Sequence, residues 1–185
     1  SKKIIAQNLA EKAKTKDENE RSVGPETLKD GSGNLHDMPG YFAKTKEEAI
    51  KLRDTSGYAG DIQDILNGLD ALADETFSLP KSALLPKFIS DTRSKVSDLT
   101  NQLIVKLKDF YGMGANFTEY EQTLIQAMTP TDSWLEKWGM WKTKSNSLRD
   151  TIVRTHRNKA KSQGAKFAQM PTTSERPKAK GQKIG

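Results

Sequence analysis

The sequence contains no cysteine in its 185 residues. Disulfides, thiolate zinc sites and cysteine nucleophiles are all excluded by that one absence, which fits synthesis in a reducing cytoplasm. Histidine is nearly as scarce, with only His36 and His156. A histidine-based metal site would need the two to converge with carboxylates, and nothing in their spacing suggests it. Apolar residues are sparse as well, at 34%, against the roughly 45–50% (glycine included) usual in globular domains. Mean hydropathy is −0.75. No apolar run approaches the ~20 residues of a membrane span, and no signal-peptide core is present. Ser1 suits a chain trimmed of its initiator Met, so an intact gene product is expected.

Motifs that carry chemistry are missing in the same way. There is no HExxH, no GxSxG and no glycine-rich phosphate loop; GMG at 112–114 is too short to be one. The pairs Asp61/Asp64 and Glu119/Glu121 are conceivable as general acid and base. The first, however, falls on a predicted solvent face, and Glu121 has a capping role. The expectation is a protein without catalytic residues, cofactor, metal or small-molecule substrate.

What is present is helical periodicity. Residues 2–14 give a narrow stripe of Ile4, Ile5 and Leu9, marginal for an isolated helix and in need of a partner surface. Residues 15–43, rich in charge, glycine and proline, read as a long irregular arm whose composition disfavours packing on its own chain. Thr45 and Glu48 form a capping box. TSGYAG at 55–60 is expected to interrupt or kink the helix that follows. From there Ile62, Ile65, Leu66, Leu69, Leu72 and Ala73 recur at threes and fours, with Asp61, Asp64, Asp70 and Asp74 on the polar side. After FSLPKSALLP a further periodic stretch runs to Tyr111, where GMG supplies a glycine stop. Thr118 and Glu121 make a second capping box with Phe117 as its staple. TPTD breaks the chain, and Asp132 caps a last helix. No stretch reads as a good strand, and no repeat of 20–50 residues is visible.

That last helix holds all three tryptophans. Placed at ~100° per residue, Trp134, Trp138, Trp141, Leu148 and Ile152 fall within roughly 80° of one another. A stripe continuing into aliphatics reads as a packing or subunit-interface face, with nucleic-acid stacking and a membrane or peptidoglycan contact as alternatives. Opposite it lie Arg154, Arg157 and Lys161, a cationic ridge that Lys166, Arg176, Lys178, Lys180 and Lys183 extend into the tail. The ridge belongs to a charge split. Residues 1–139 hold 18 Lys+Arg against 22 Asp+Glu, and residues 140–185 hold 12 against 2. One basic end suggests an interaction tail. Its readings are a solvated face, phosphate contacts with nucleic acid, or docking on an acidic partner protein.

The order of elements from about 81 to 152 adds a resemblance. A long amphipathic helix ends at glycine, Phe117-Thr118-Glu119-Tyr120-Glu121 opens a short helix, and a break precedes the tryptophan helix. The stretches KLKDFYGMGANFTEYEQTLIQAM and TPTDSWLEKWGMWK resemble the helical part of tailed-bacteriophage virion proteins, whether internal, ejection (pilot) or connector-associated. The resemblance covers under half of the chain. It implies a non-enzymatic, multi-copy virion component made in the host bacterial cytoplasm, with other virion proteins as partners and packaged DNA as a candidate contact. Some ejection proteins carry a peptidoglycan-cleaving domain, which nothing here matches. The expected architecture is all-α: a short helix and extended arm at 1–44, a small helical bundle at 45–162, and a basic flexible tail at 163–185. The alternative function is a nucleic-acid-binding accessory protein acting through the basic C-terminal helix and tail.

Overall fold

The structure, a computed structural model, describes residues 2–83, 86–113, 118, 119, 123 and 138–167; of Lys81 and residues 138–141 the backbone alone is described. Among the described residues four helices dominate: α1 (Lys2–Arg21), α2 (Lys46–Ser78), α3 (Pro86–Tyr111) and α4 (Trp138–Ser162). The chain is mostly helical, but it is not purely so. Two small antiparallel ladders form between α1 and α2. β1 (Ser22–Val23) pairs with β4 (Tyr41–Phe42), and β2 (Glu26–Lys29) pairs with β3 (Leu35–Met38).

The core lies where α2 packs between α3 and α4. Ile62, Leu66 and Leu69 of α2 meet Val96, Leu103, Leu107 and Phe110 of α3 and Leu148, Ile152 and Val153 of α4. The predicted stop at 55–60 does not occur. α2 runs unbroken through Gly57 and Gly60, with Thr55 Oγ1 donating to the Lys51 carbonyl at 2.7 Å. Two helix-interior glycines cost about 1 kcal/mol each. Burial of Leu52, Ala59 and Ile62 on both sides of them offsets that cost at about 25 cal/mol per Å² of apolar surface.

Caps set the helix limits. Thr45 Oγ1 accepts from the Glu48 N–H at 3.1 Å, the N-cap half of the capping box. α3 ends in a Schellman turn. Gly112 takes φ +68°, the Met113 N–H reaches the Lys108 carbonyl at 2.9 Å, and the Gly112 N–H reaches Asp109 at 3.2 Å. α4 ends in the same way at Gly164, with the Ala165 N–H on the Ala160 carbonyl at 3.0 Å. The second capping box and the proposed cap at Asp132 fall on or beside residues outside the described ones.

The predicted arm at 15–43 is where sequence and structure part. Residues 15–21 continue α1, helped by the Asp17–Arg21 pair at 3.0 Å. Arg53 of α2 donates to the carbonyls of Glu20 and Ser22, closing the end of α1. Residues 22–43 then fold back onto their own chain. Val23 and Ala43 are buried with Ala49 and Leu52, Met38 with Ala160 and Ala165, and Leu28 joins the main core. The Gln63 side chain serves the outer edge of β2, its Nε2 donating to the Lys29 carbonyl at 2.8 Å and its Oε1 accepting the Lys29 N–H at 3.3 Å. A few short apolar side chains and satisfied backbone groups hold a segment whose overall composition argues for disorder.

Candidate nucleic-acid interface

α4 is two-sided. Leu148 and Ile152 of the predicted packing stripe are buried, Ile152 completely. Trp134 lies outside the described residues, and for Trp138 and Trp141 only helical backbone is described. Buried Arg149 fastens the inner side. Its guanidinium meets Asp70 Oδ2 at 2.7 Å, Asn67 Oδ1 at 3.0 Å and Ser145 Oγ at 2.9 Å. Asp70, expected to face solvent, is thus the partner of a buried cation. Asp61 does stay at the surface, paired with Lys106 at 3.0 Å, and this contact holds the Lys106 ammonium above its ordinary value.

The outer side carries the ridge. Arg154, Lys161 and Lys166 are exposed and Arg157 is half-buried. Arg157 is the most constrained. Its guanidinium carbon sits 4.6 Å from the centre of the Phe167 ring, and Nη1 points at His36 Nδ1 over a long 3.4 Å. Lys161 lies 6.0 Å above the same ring. Among the described residues none of Arg154, Arg157 or Lys161 takes part in an ion pair. The remaining predicted contacts, Arg176, Lys178, Lys180 and Lys183, lie outside the described residues.

Facing the ridge is the loop DGSGN, 30–34, which joins β2 to β3. The Asp30 carboxylate organises it, accepting the N–H groups of Ser32 and Asn34 at 2.9 Å each, Asn34 Nδ2 at 3.2 Å and His36 Nε2 at 2.9 Å. Burial pushes this carboxyl up, but the hydrogen bonds from His36, Asn34 and Ser32 outweigh it and hold the group below its ordinary value. The Gly31 N–H donates to Asp150 Oδ1 at 2.7 Å. A Cβ at Gly31 would stand 2.3 Å from the Asn146 carbonyl oxygen, so glycine is what lets this loop touch α4.

The two histidines, which their spacing did not connect, meet at this same junction, lining one small cavity with Glu26 and Arg157. His156 is 1% exposed. Its Nε2 lies 2.6 Å from Glu26 Oε2 and 3.2 Å from Ser56 Oγ. A nucleophile–base relay needs hydroxyl and carboxylate on opposite ring nitrogens, and here both share Nε2. The arrangement is a buried clamp between β2, α2 and α4. Among the described residues no set of three or more His, Asp or Glu side chains is disposed to hold a metal ion, and no helix is long and apolar enough to cross a membrane. Tyr41, beside the clamp, has its hydroxyl pushed up to about 12 by burial and by the charge of Glu26.

With this geometry in hand, comparison with known proteins adds no relative: no family model, no curated protein and no solved structure matches the chain.

Proposed function

We propose that the chain is a non-enzymatic structural protein of a tailed-phage particle, working by assembly, and that α4 is the surface through which it meets nucleic acid. The virion setting rests on the sequence resemblance. The nucleic-acid reading rests on one observation. Among the described residues, Arg154, Arg157 and Lys161 on the outer side of α4 take part in no ion pair, while the carboxylates beside them, Asp30 and Asp150, are taken up by the 30–36 segment. Cations already neutralised by their own protein release few counterions on binding, whereas free ones supply the salt-dependent affinity typical of phosphate-backbone recognition.

The assembly half has its own support in α1. That helix buries no residue, and Ile4, Ile5 and Leu9 are 61–62% exposed. A gel-shift titration of the full chain with duplex DNA at ~50 mM salt tests the nucleic-acid half. A retarded band is expected, weakened in the Arg154→Ala/Lys161→Ala variant. A wild-type chain that shifts nothing at that salt removes DNA from the proposal.

A further inference from the structure

The ridge is not uniform. Between the 30–36 loop and α4 lies a cleft of about 330 Å³, walled by His36, Arg154, Arg157, Asn158 and Lys161 together with the two committed carboxylates. Arg154 and Lys161 stand about one turn to either side of Arg157, at spacings of three and four that put them on the same face. Both are exposed. Arg157 is different: its guanidinium carbon lies 4.6 Å from the centre of the Phe167 ring, its Nη1 points at His36 Nδ1, and its Nε is enclosed with no hydrogen-bond partner among the described residues. A guanidinium held in place before any ligand arrives loses little entropy on binding, and its planar fork matches two oxygens of a phosphate.

We infer that this cleft is a phosphate subsite, in which Arg157 anchors a single backbone phosphodiester of the nucleic acid and Arg154 and Lys161 screen its neighbours. The inference rests on the nucleic-acid reading above and goes further in locating one fixed contact within a diffuse charged face. Asp30 lines the cleft, but its carboxylate is engaged by the Ser32 and Asn34 N–H groups and by the His36 ring through Nε2 at 2.9 Å, which leaves Nδ1 to accept from Arg157. Phe167 is a positioning residue: it touches no ligand but packs against the Arg157 guanidinium.

The test uses the full chain, a labelled short DNA duplex of mixed sequence, and fluorescence anisotropy over a salt series. Three substitutions keep or spare the charge: Arg157→Lys, Arg154→Lys and Phe167→Leu. Thermal melting first establishes that each variant is folded. Arg157→Lys is expected to weaken binding about tenfold, with the salt slope unchanged, because the charge remains and the fork is lost. Arg154→Lys is expected to stay within about twofold of wild type. Phe167→Leu removes no charge and is expected to weaken binding about threefold at the same slope, through the lost preorganisation. If Arg157→Lys binds as wild type does, the face acts as diffuse charge and the subsite is refuted while the nucleic-acid reading stands. Equal weakening by Arg154→Lys and Arg157→Lys refutes Arg157 as the anchor. A wild-type chain that does not bind the duplex at low salt overturns both.

Discussion

The helices α1 and α4 are similar in length and both are rich in lysine, yet they sit in the molecule in opposite ways. α4 buries Leu148, Ile152, Val153, His156 and Ala160 together with Arg149, and turns Arg154 and Lys161 outward. α1 buries nothing, and among the described residues it is tied to the rest at its end, by Arg21 to the Ala43 carbonyl, by Arg53 to the Glu20 carbonyl and by the Glu20–Lys46 ion pair at 3.7 Å. Amphipathic periodicity alone does not say whether a stripe is core. It says only that the stripe can be covered. In α4 the cover is α2, the β2–β3 hairpin and α3. In α1 no described part of the chain supplies it.

The comparison breaks first under truncation of matched side chains. Ile152→Ala should cost about 2–5 kcal/mol of stability, measured by denaturant unfolding. Ile5→Ala should stay within about 0.5 kcal/mol. Comparable losses at the two sites would mean that α1 packs on its own chain after all. Arg149→Ala should cost about 3 kcal/mol, because Asp70 and Asn67 lose the buried cation that joins α2 to α4. A neutral result would show that the pair is solvated. Gly31→Ala should cost about 1–3 kcal/mol, since the loop must retreat from Asn146 to admit a methyl group; His36 should then become more accessible by hydrogen–deuterium exchange of its neighbours.

Smaller effects appear in the pH profile. Asp30 is depressed in the folded state, so its contribution is present above its unfolded value near 3.8 and is lost as pH falls through the lower folded value. Asp30→Asn should therefore be less stable than wild type at neutral pH, with the gap closing in acid. Tyr41 is raised from 10.0 to about 12. Its contribution is complete below pH 10.0 and declines as pH rises toward 12, so Tyr41→Phe should flatten the alkaline limb of the stability curve. Tyr111, raised by burial against the opposing effects of Thr155 and Arg154, should contribute to the same limb, as should Lys106, raised by its contact with Asp61. An alkaline limb unchanged in Tyr41→Phe would place the titration elsewhere.

Helix faces were legible in the sequence because each is a local pattern. The Thr45 cap, the glycine stop after Tyr111, the Leu148–Ile152 stripe and the Arg154–Arg157–Lys161 ridge need only neighbours within a turn or two. The β2–β3 hairpin does not stand out although its signal is local too: the strands Glu26–Lys29 and Leu35–Met38 flank the five-residue glycine-containing turn 30–34, which is a hairpin pattern. Four-residue strands with one buried side chain each simply give too little alternation to stand out against the surrounding charge. Other features could not be read in principle. Glu26 and His156, Asp70 and Arg149, and His36 and Arg157 pair across many tens of residues, through contacts that only the packed helices create. The continuous α2 belongs with them, since tertiary burial there overrides two unfavourable local residues.

The proposed contact between the outer face of α4 and nucleic acid is tested by the salt slope of DNA binding for the full chain and for Arg154→Ala/Lys161→Ala. Each phosphate contact contributes about −0.9 to the slope of log affinity against log salt, so the account predicts a slope shallower by about 2 in the double variant. Identical slopes would place the binding on some other part of the chain and contradict the account.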